Sequence, residues 1–330
     1  MLIPHNKKTA FCLVLLTFVA FALQKIQLFA TKKVVQYSCM IDKYRDFIIN
    51  NQLLDGGFGY YKKDSSLAEP GFYCLLALIA FDKTIRPVEA GIKWLLSLQN
   101  NDGGWLLFKD DNLSSPLATA LALIVLAEYN ADKYKPIIND GKAYLEKANG
   151  FHTTKTMSQN AWGWNKGGFI SIEPSAYAVI GLRKAHSTEE KRIKEAEQFF
   201  LQNRCESGGW TYGYPIDTNH PDSKKVYSIP LTPQIHITAL VLMAAQGRFK
   251  PLDKDFELII REYDKSYCPL SLALSVLAFN SYGQDARPIL NRLNEIMLKD
   301  DYLAQMPFYN ALSLLANLTT KGINPLCLKT

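Results

Sequence analysis

The 330-residue sequence has no CxxC pair, no low-complexity tract, no Pro-Ser-rich linker and no block of like charge. Each absence excludes something. Without a linker, one folded unit is expected rather than a string of domains, and 48% apolar with 21% charged residues suits a globular core. The net charge of +6 is modest, and the basic residues stand beside acids instead of forming the stripe a nucleic-acid binder needs, so no nucleic-acid partner is expected. Beyond the N-terminal segment lie Cys39, Cys74, Cys205, Cys268 and Cys327, an odd set without metal spacing, which points to buried thiols and not to a disulfide framework. A long apolar run is also missing. The best candidate, "TAFCLVLLTFVAFAL" after Lys7 and Lys8, falls short of the roughly 20 residues a membrane span requires. With small residues at Ala20-Phe21-Ala22, residues 1–30 read as a signal peptide or a retained membrane anchor, with a buried N-terminal helix as the competing reading. Either leader makes the protein membrane-anchored or exported.

What the sequence does have is a repeat. "QNNDGGW" at 99–105 is a near copy of "QLLDGGF" at 52–58, and in both an aromatic-aliphatic pair (Trp94-Leu95, Phe47-Ile48) stands five residues before the Gln. Gly208-Gly209-Trp210 is a third copy and Trp162-Gly163-Trp164 a looser one. Six nearly all-apolar stretches open with X-Pro, at Pro70, Pro116, Pro174, Pro233, Pro269 and Pro307. Proline suits a first helical turn because its missing N–H has no partner there. Stretches that are apolar all round read as buried helices. Between them run amphipathic stretches, four of which start at Pro87, Pro136, Pro251 and Pro288 after a basic residue. The series predicts an all-α fold, an (α/α)6 toroid of six outer and six inner helices over 38–318, with a C-terminal tail at 319–330. An open solenoid obeys the same pattern, but six pairs without polar caps favour closure. All the Gly-Gly-aromatic loops, and insertions at 150–169 and 208–230, fall on outer-to-inner connections, so they rim one mouth, where function is expected.

Residues 90–105, "AGIKWLLSLQNNDGGW", resemble the QW motif of the squalene-hopene cyclase and oxidosqualene cyclase families, shared more loosely with protein prenyltransferase β subunits. Gly91, Trp94, Leu95, Gln99, Gly103 and Trp105 occupy the pattern positions, and Lys43, Phe47, Ile48, Gln52, Gly56 and Phe58 repeat them. At 199–210 Phe199, Gly208 and Trp210 match, with Arg204 in place of Gln. The resemblance implies the same toroid, with the motif as a clasp in which the Gln amide ties one outer helix to neighbouring backbone under the aromatic ring. It also implies where chemistry would sit. Those cyclases protonate through a D-x-D-D acid on an inner helix, and the prenyltransferases hold zinc with a D-x-C pair and a His; this sequence has neither run. His236 stands on an inner helix without the other ligands, so neither a metal nor a cofactor is expected.

Candidate residues come from the mouth. The position three after each inner proline is Tyr73, Thr119, Tyr177, His236, Leu272 and Asn310, a predicted polar ring in an apolar chamber. Glu69 and Glu173 precede inner prolines; they are expected either to complement a helix dipole or to act as an acid/base pair with His236. Trp164 and Trp210, with Trp162, Tyr212 and Tyr214, are candidate stacking surfaces for a ligand, and Asp110-Asp111 reads as a solvated acidic loop or a diphosphate site. The first expectation is a protein that binds or transforms an isoprenoid or other apolar ligand in its central cavity, attached to membrane through its N-terminal segment. A secreted polysaccharide lyase or hydrolase toroid, favoured by an open mouth, is the second. A non-catalytic binding module, resembling complement thioester-domain toroids without their C-G-E-Q run, is the third.

Overall fold

The computed structural model describes residues 39–150, 161–188, 190–213 and 232–328. The chain divides into two units, 1–43 and 44–330, and apart from the first turn of the first helix everything discussed below lies in the second. Residues 1–38, with the leader, and Tyr214 lie outside the described residues. Among those residues the fold is almost wholly helical. The outer helices are α1 (39–50), α3 (Arg86–Ser97), α5 (Lys135–Lys147), α7 (Glu190–Gln202), α9 (Asp253–Glu262) and α11 (Arg287–Lys299). The inner ones are α2 (Ala68–Asp82), α4 (Pro116–Asn130), α6 (Ile172–Lys184), α8 (Ile235–Ala245), α10 (Pro269–Ser281) and α13 (Pro307–Leu318). A short α12 (Asp301–Ala304), two single-turn 3-10 helices (Tyr263–Lys265 and Thr319–Lys321) and a two-stranded ribbon, β1 (Trp105–Leu106) antiparallel to β2 (Ser114–Ser115), complete the described elements.

Each inner helix packs on the next, and α13 returns to α2, so the ring closes as the expected toroid. Inner helices are buried on all sides because Ala, Leu and Val fill every face, whereas the outer helices bury a single stripe, such as Val88, Ile92 and Leu95 on α3. At the far end the tail packs under the ring: the Asn324 amide donates to the Leu277 carbonyl at 2.9 Å and the Leu328 N–H to Gln246 Oε1 at 2.8 Å. No helix among the described residues is long and apolar enough to cross a membrane.

The clasp joins the layers, and its geometry sets the register of the site. Trp105, Trp162 and Trp210 are fully buried, and their indole N–H groups donate to the outer-helix carbonyls of Leu95, Leu145 and Phe200 at 2.7 to 2.9 Å. Their backbone N–H groups donate to the hydroxyls of Thr119, Ser175 and Thr238 at 2.9 to 3.1 Å. The Gln52 and Gln99 amides reach forward to the carbonyls of Pro87 and Ile137, near the start of the next outer helix. Arg204 keeps the tie by another chemistry: it bridges to Asp255 at 3.2 Å and lies over the Trp210 ring. Gly103 is obligatory, since φ is +87° and a Cβ would meet the Asp140 carbonyl oxygen at 2.6 Å.

Candidate functional site

The inner prolines do not share one helical register. Pro116, Pro269 and Pro307 are first residues of their helices, Pro70 and Pro174 are third, and Pro233 precedes α8 by two. Counting three past each proline therefore mixes different faces of the helices. Counted from helix starts, Thr119, Ser175 and Thr238 all fall at the fourth position, which explains why all three serve the clasp. The second and sixth positions point the opposite way, since two residues turn the helix by about 200° and four bring it back to within about 40°. At the second stand Glu69, Leu117, Glu173, His236, Leu270 and Phe308; at the sixth stand Tyr73, Leu121, Tyr177, Leu240, Leu274 and Leu312.

This register corrects part of the expected ring. Thr119 and Asn310 belong to the clasp face: Thr119 Oγ1 also donates to the Ser115 carbonyl at 2.7 Å, and the Asn310 amide donates to the carbonyls of Ala304 and Met306, both at 2.9 Å. Trp210 and Trp162 are clasp rings with no exposed area, so neither offers a stacking face. Trp164 is partly exposed, and its carbonyl accepts from the Ser115 hydroxyl at 2.8 Å. Asp110 and Asp111 sit in an exposed loop.

The residues that do converge are Glu69, Tyr73, Glu173 and Tyr177. Helices α2 and α6 are separated in the ring by α4, yet the Tyr73 and Tyr177 hydroxyls are hydrogen-bonded to each other and their rings meet edge to face at 6.5 Å. Such a contact reaches past α4 into the interior of the ring. Every side chain of the sixth-position layer is at most 2% exposed, so the axis is filled at that depth. Above this floor the second-position layer is partly open, with Glu69, His236 and Leu270 half-buried. The chamber is thus a cup, open above a floor at the sixth-position layer.

Glu173 is 7% exposed and forms no hydrogen bond or ion pair among the described residues. Burial first, and the Glu69 charge second, push its carboxyl up to about 8. Glu69 is also raised by burial, but the Tyr60 hydroxyl donates to its Oε2 and pulls the other way by favouring the carboxylate. The pair therefore divides naturally. Glu173 holds a proton at neutral pH, and Glu69 is the better carboxylate. Burial raises Tyr60, Tyr73 and Tyr177 as well, which leaves their hydroxyls as protonated donors. Phe308 braces the group, edge-on to Tyr60 at 5.3 Å and to Tyr73 at 5.4 Å.

His236 completes the upper layer beside a second tyrosine. Its Nε2 lies 3.1 Å from the Tyr212 hydroxyl and its Nδ1 3.5 Å from Ser271 Oγ, while burial lowers its pKa and keeps the ring neutral. Tyr60 and Ser271 were missing from the sequence-based candidates, and Tyr212 was among them only as a stacking ring. A signal for the tyrosines exists: each stands two residues past its clasp ring, Phe58 or Trp210, and each bonds the second-position side chain of its own inner helix. Trp164 occupies that place after Trp162 and has no hydroxyl to give, which accounts for the lone Glu173. Among the described residues no three His, Cys, Asp or Glu side chains gather as metal ligands.

No family model and no curated protein matches the sequence. Solved structures do match the fold. A structure described as a novel alpha-amylase from Clostridium perfringens aligns with a TM-score of 0.60 at 13% identity, over 84% of this chain and 97% of that one. A protein from Actinoplanes aligns with a TM-score of 0.56 at 13% identity, over 86% of this chain and 99% of that one. Ent-copalyl diphosphate synthase from Streptomyces platensis aligns at 0.46 and 14% identity, over 85% of this chain and 50% of that one. At such identities the likeness is one of fold alone, and for the first two it accords with the closed α/α toroid.

Proposed function

We propose that the protein is a glycoside hydrolase whose acid and base are Glu173 and Glu69. The observation that carries the reading is the buried, unpartnered Glu173 carboxyl facing a second carboxyl at an open mouth. A carboxyl held protonated near neutrality is what a general acid requires, and two carboxyls of unlike protonation across a bond are the usual equipment for cleaving a glycosidic linkage. Glu173 gives its proton to the bridging oxygen as the anomeric carbon–oxygen bond breaks, and the departing sugar leaves as an alcohol. Glu69 takes a proton from the water whose oxygen bonds to the anomeric carbon. Exchange with solvent then returns a proton to Glu173 and removes one from Glu69. The Tyr60 hydroxyl stabilises Glu69 as carboxylate at the start of the cycle, and the neutral His236 and Tyr212 are placed to orient sugar hydroxyls.

Support also comes from the filled axis, which leaves a cup suited to a ligand lying across the mouth, and from the amylase described for one fold neighbour. Residues 1–30, acting as signal or anchor, would bring such a protein to the surface where polysaccharides are met. The isoprenoid reading needs space that the Tyr73–Tyr177 floor occupies. The test is reducing-end release from soluble starch, xylan, mixed-linkage β-glucan and polygalacturonate. Glu173→Gln and Glu69→Gln are each expected to lower the rate by about 10²- to 10⁴-fold. Release that neither variant affects, or none from any polymer, would overturn the assignment.

A further inference from the structure

We infer that Tyr61 and Tyr302 form a sugar-stacking subsite beside the carboxylates, which makes the substrate an extended glycan chain; the inference rests on the hydrolase reading and extends it to substrate length. The two rings come from elements 241 residues apart, yet their hydroxyls are 2.8 Å from each other and their centroids 6.0 Å. Both are open to solvent, at 47% and 62% exposure. A single exposed aromatic needs no explanation, but two locked side by side make a contiguous apolar face, and such faces mark binding surfaces.

The pair is held in place on both sides. Tyr302 lies on α12, where Asp300 Oδ1 accepts from the N–H groups of Tyr302 and Leu303 at 3.0 and 3.1 Å. Tyr61 precedes Lys63 by two residues, at a turn where φ of Lys63 is +63°. The platform is also continuous with the acid–base cup. Tyr60, the donor to Glu69, is the neighbour of Tyr61, and Phe308, which packs on Tyr60, follows α12 in the chain. A chain lying on the two rings therefore leads directly to Glu69.

The chemistry of the face selects a neutral sugar. Lys62, Lys63 and Lys299 are matched in these two segments by Asp64, Asp300 and Asp301, so no excess of one sign invites a charged polymer. The apolar C–H face of a pyranose covers a tyrosine ring, while its hydroxyls reach the tyrosine hydroxyls at the edge.

Affinity electrophoresis tests the subsite without turnover. In the Glu173→Gln background, at least one of soluble starch, xylan and mixed-linkage β-glucan cast in the gel should retard the protein. Tyr61→Ala with Tyr302→Ala should weaken that retardation about 10-fold, and the Phe pair, which keeps both rings, should retain most of it. Both positions are exposed, so an unchanged melting curve shows that the Ala pair is folded, and Tyr302→Ala alone should show an intermediate loss. Retardation equal with and without the rings overturns the subsite, as does no retardation by any of the three polymers. Reducing-end release with Glu173 intact separates this inference from the one beneath it. Polymers cleaved equally well by the Ala pair overturn the subsite alone. Ring-dependent retardation with no release from any substrate overturns the acid–base reading and leaves the subsite standing.

Discussion

Replacing Glu173 by Gln should stabilise the protein in alkali and not in acid. The carboxyl is pushed from 4.5 up to about 8 in the fold, chiefly by burial and further by the Glu69 charge. A proton is therefore held more tightly in the folded state than in the unfolded chain. Between those two values unfolding releases that proton, so rising pH favours unfolding, and the stability present below about pH 4.5 is lost as pH passes through about 8. At about 1.36 kcal/mol per pH unit the loss approaches about 5 kcal/mol above the folded value and about 3 kcal/mol at pH 7. Glutamine has the same shape and no charge, so it escapes this term. Its amide, if left without an acceptor, adds a cost of about 1 to 3 kcal/mol that does not vary with pH. The signature is thus the slope and not the offset. For a chain of this size about 1 kcal/mol moves Tm by roughly 2 °C, so the Tm of the Gln variant relative to wild type should rise by about 5 to 10 °C between pH 4.5 and pH 9. Differential scanning calorimetry across that range reads it directly. A Tm difference that stays flat with pH would mean that Glu173 ionises normally, and the general-acid assignment would fall with it.

Three further outcomes follow from the same geometry. On a cleaved polymer kcat/KM should fall as pH rises through about 8, because the general acid is lost there, and Glu69→Gln should move this limb to lower pH by removing the repelling charge; a limb that stays in place would show that the two carboxyls do not interact. Trp105→Ala should cost about 3 to 5 kcal/mol in urea unfolding and Gln99→Ala about 1 to 3, since one empties a core site and the other removes an amide tie; wild-type stability in both would contradict the clasp. Tyr177→Phe should destabilise by about 1 to 3 kcal/mol by leaving the buried Tyr73 hydroxyl unpaired, and native mass spectrometry of this variant and wild type should find neither carrying a lipid; a co-purified polyprenyl lipid would reopen the isoprenoid reading.

The toroid was legible in the sequence because two independent signals agree on it. Apolar stretches opened by prolines mark the inner helices, and the "QNNDGGW" frame marks the outer-helix ends, so six pairs could be counted before any coordinate was known. The site was legible only in part. Proline fixes that a helix starts nearby but is tolerated before, at or just inside the first turn. Shifts of one or two residues turn a side chain by about 100° to 200° around the axis, enough to exchange the cup for the clasp. For that reason Thr119 and Asn310 left the predicted ring while His236 joined the level of the two glutamates. The better ruler was already present in the clasp aromatic itself. Two residues beyond Phe58 and Trp210 stand Tyr60 and Tyr212, the partners of Glu69 and His236, and no proline register enters that count.

Magnitude weighs against a purely helix-capping role for the glutamates. Acids in the first turn of a helix are common because the dipole there favours a negative charge by about 0.3 to 1 kcal/mol, and by that account Glu69 and Glu173 would be ornaments of α2 and α6. Dipole and capping interactions lower a carboxyl pKa. Both residues are instead raised, and neither side chain caps its helix. For Glu173 the rise to about 8 corresponds to about 5 kcal/mol against the ionised form, several times what the dipole offers in its favour. A group that served only the helix dipole would be better placed in solvent, where no burial opposes its charge. The fold instead buries an acid against a second acid at the mouth, and withholds from Glu173 the hydroxyl that Tyr60 gives Glu69. That asymmetry is costly in a structural element and useful in a proton donor.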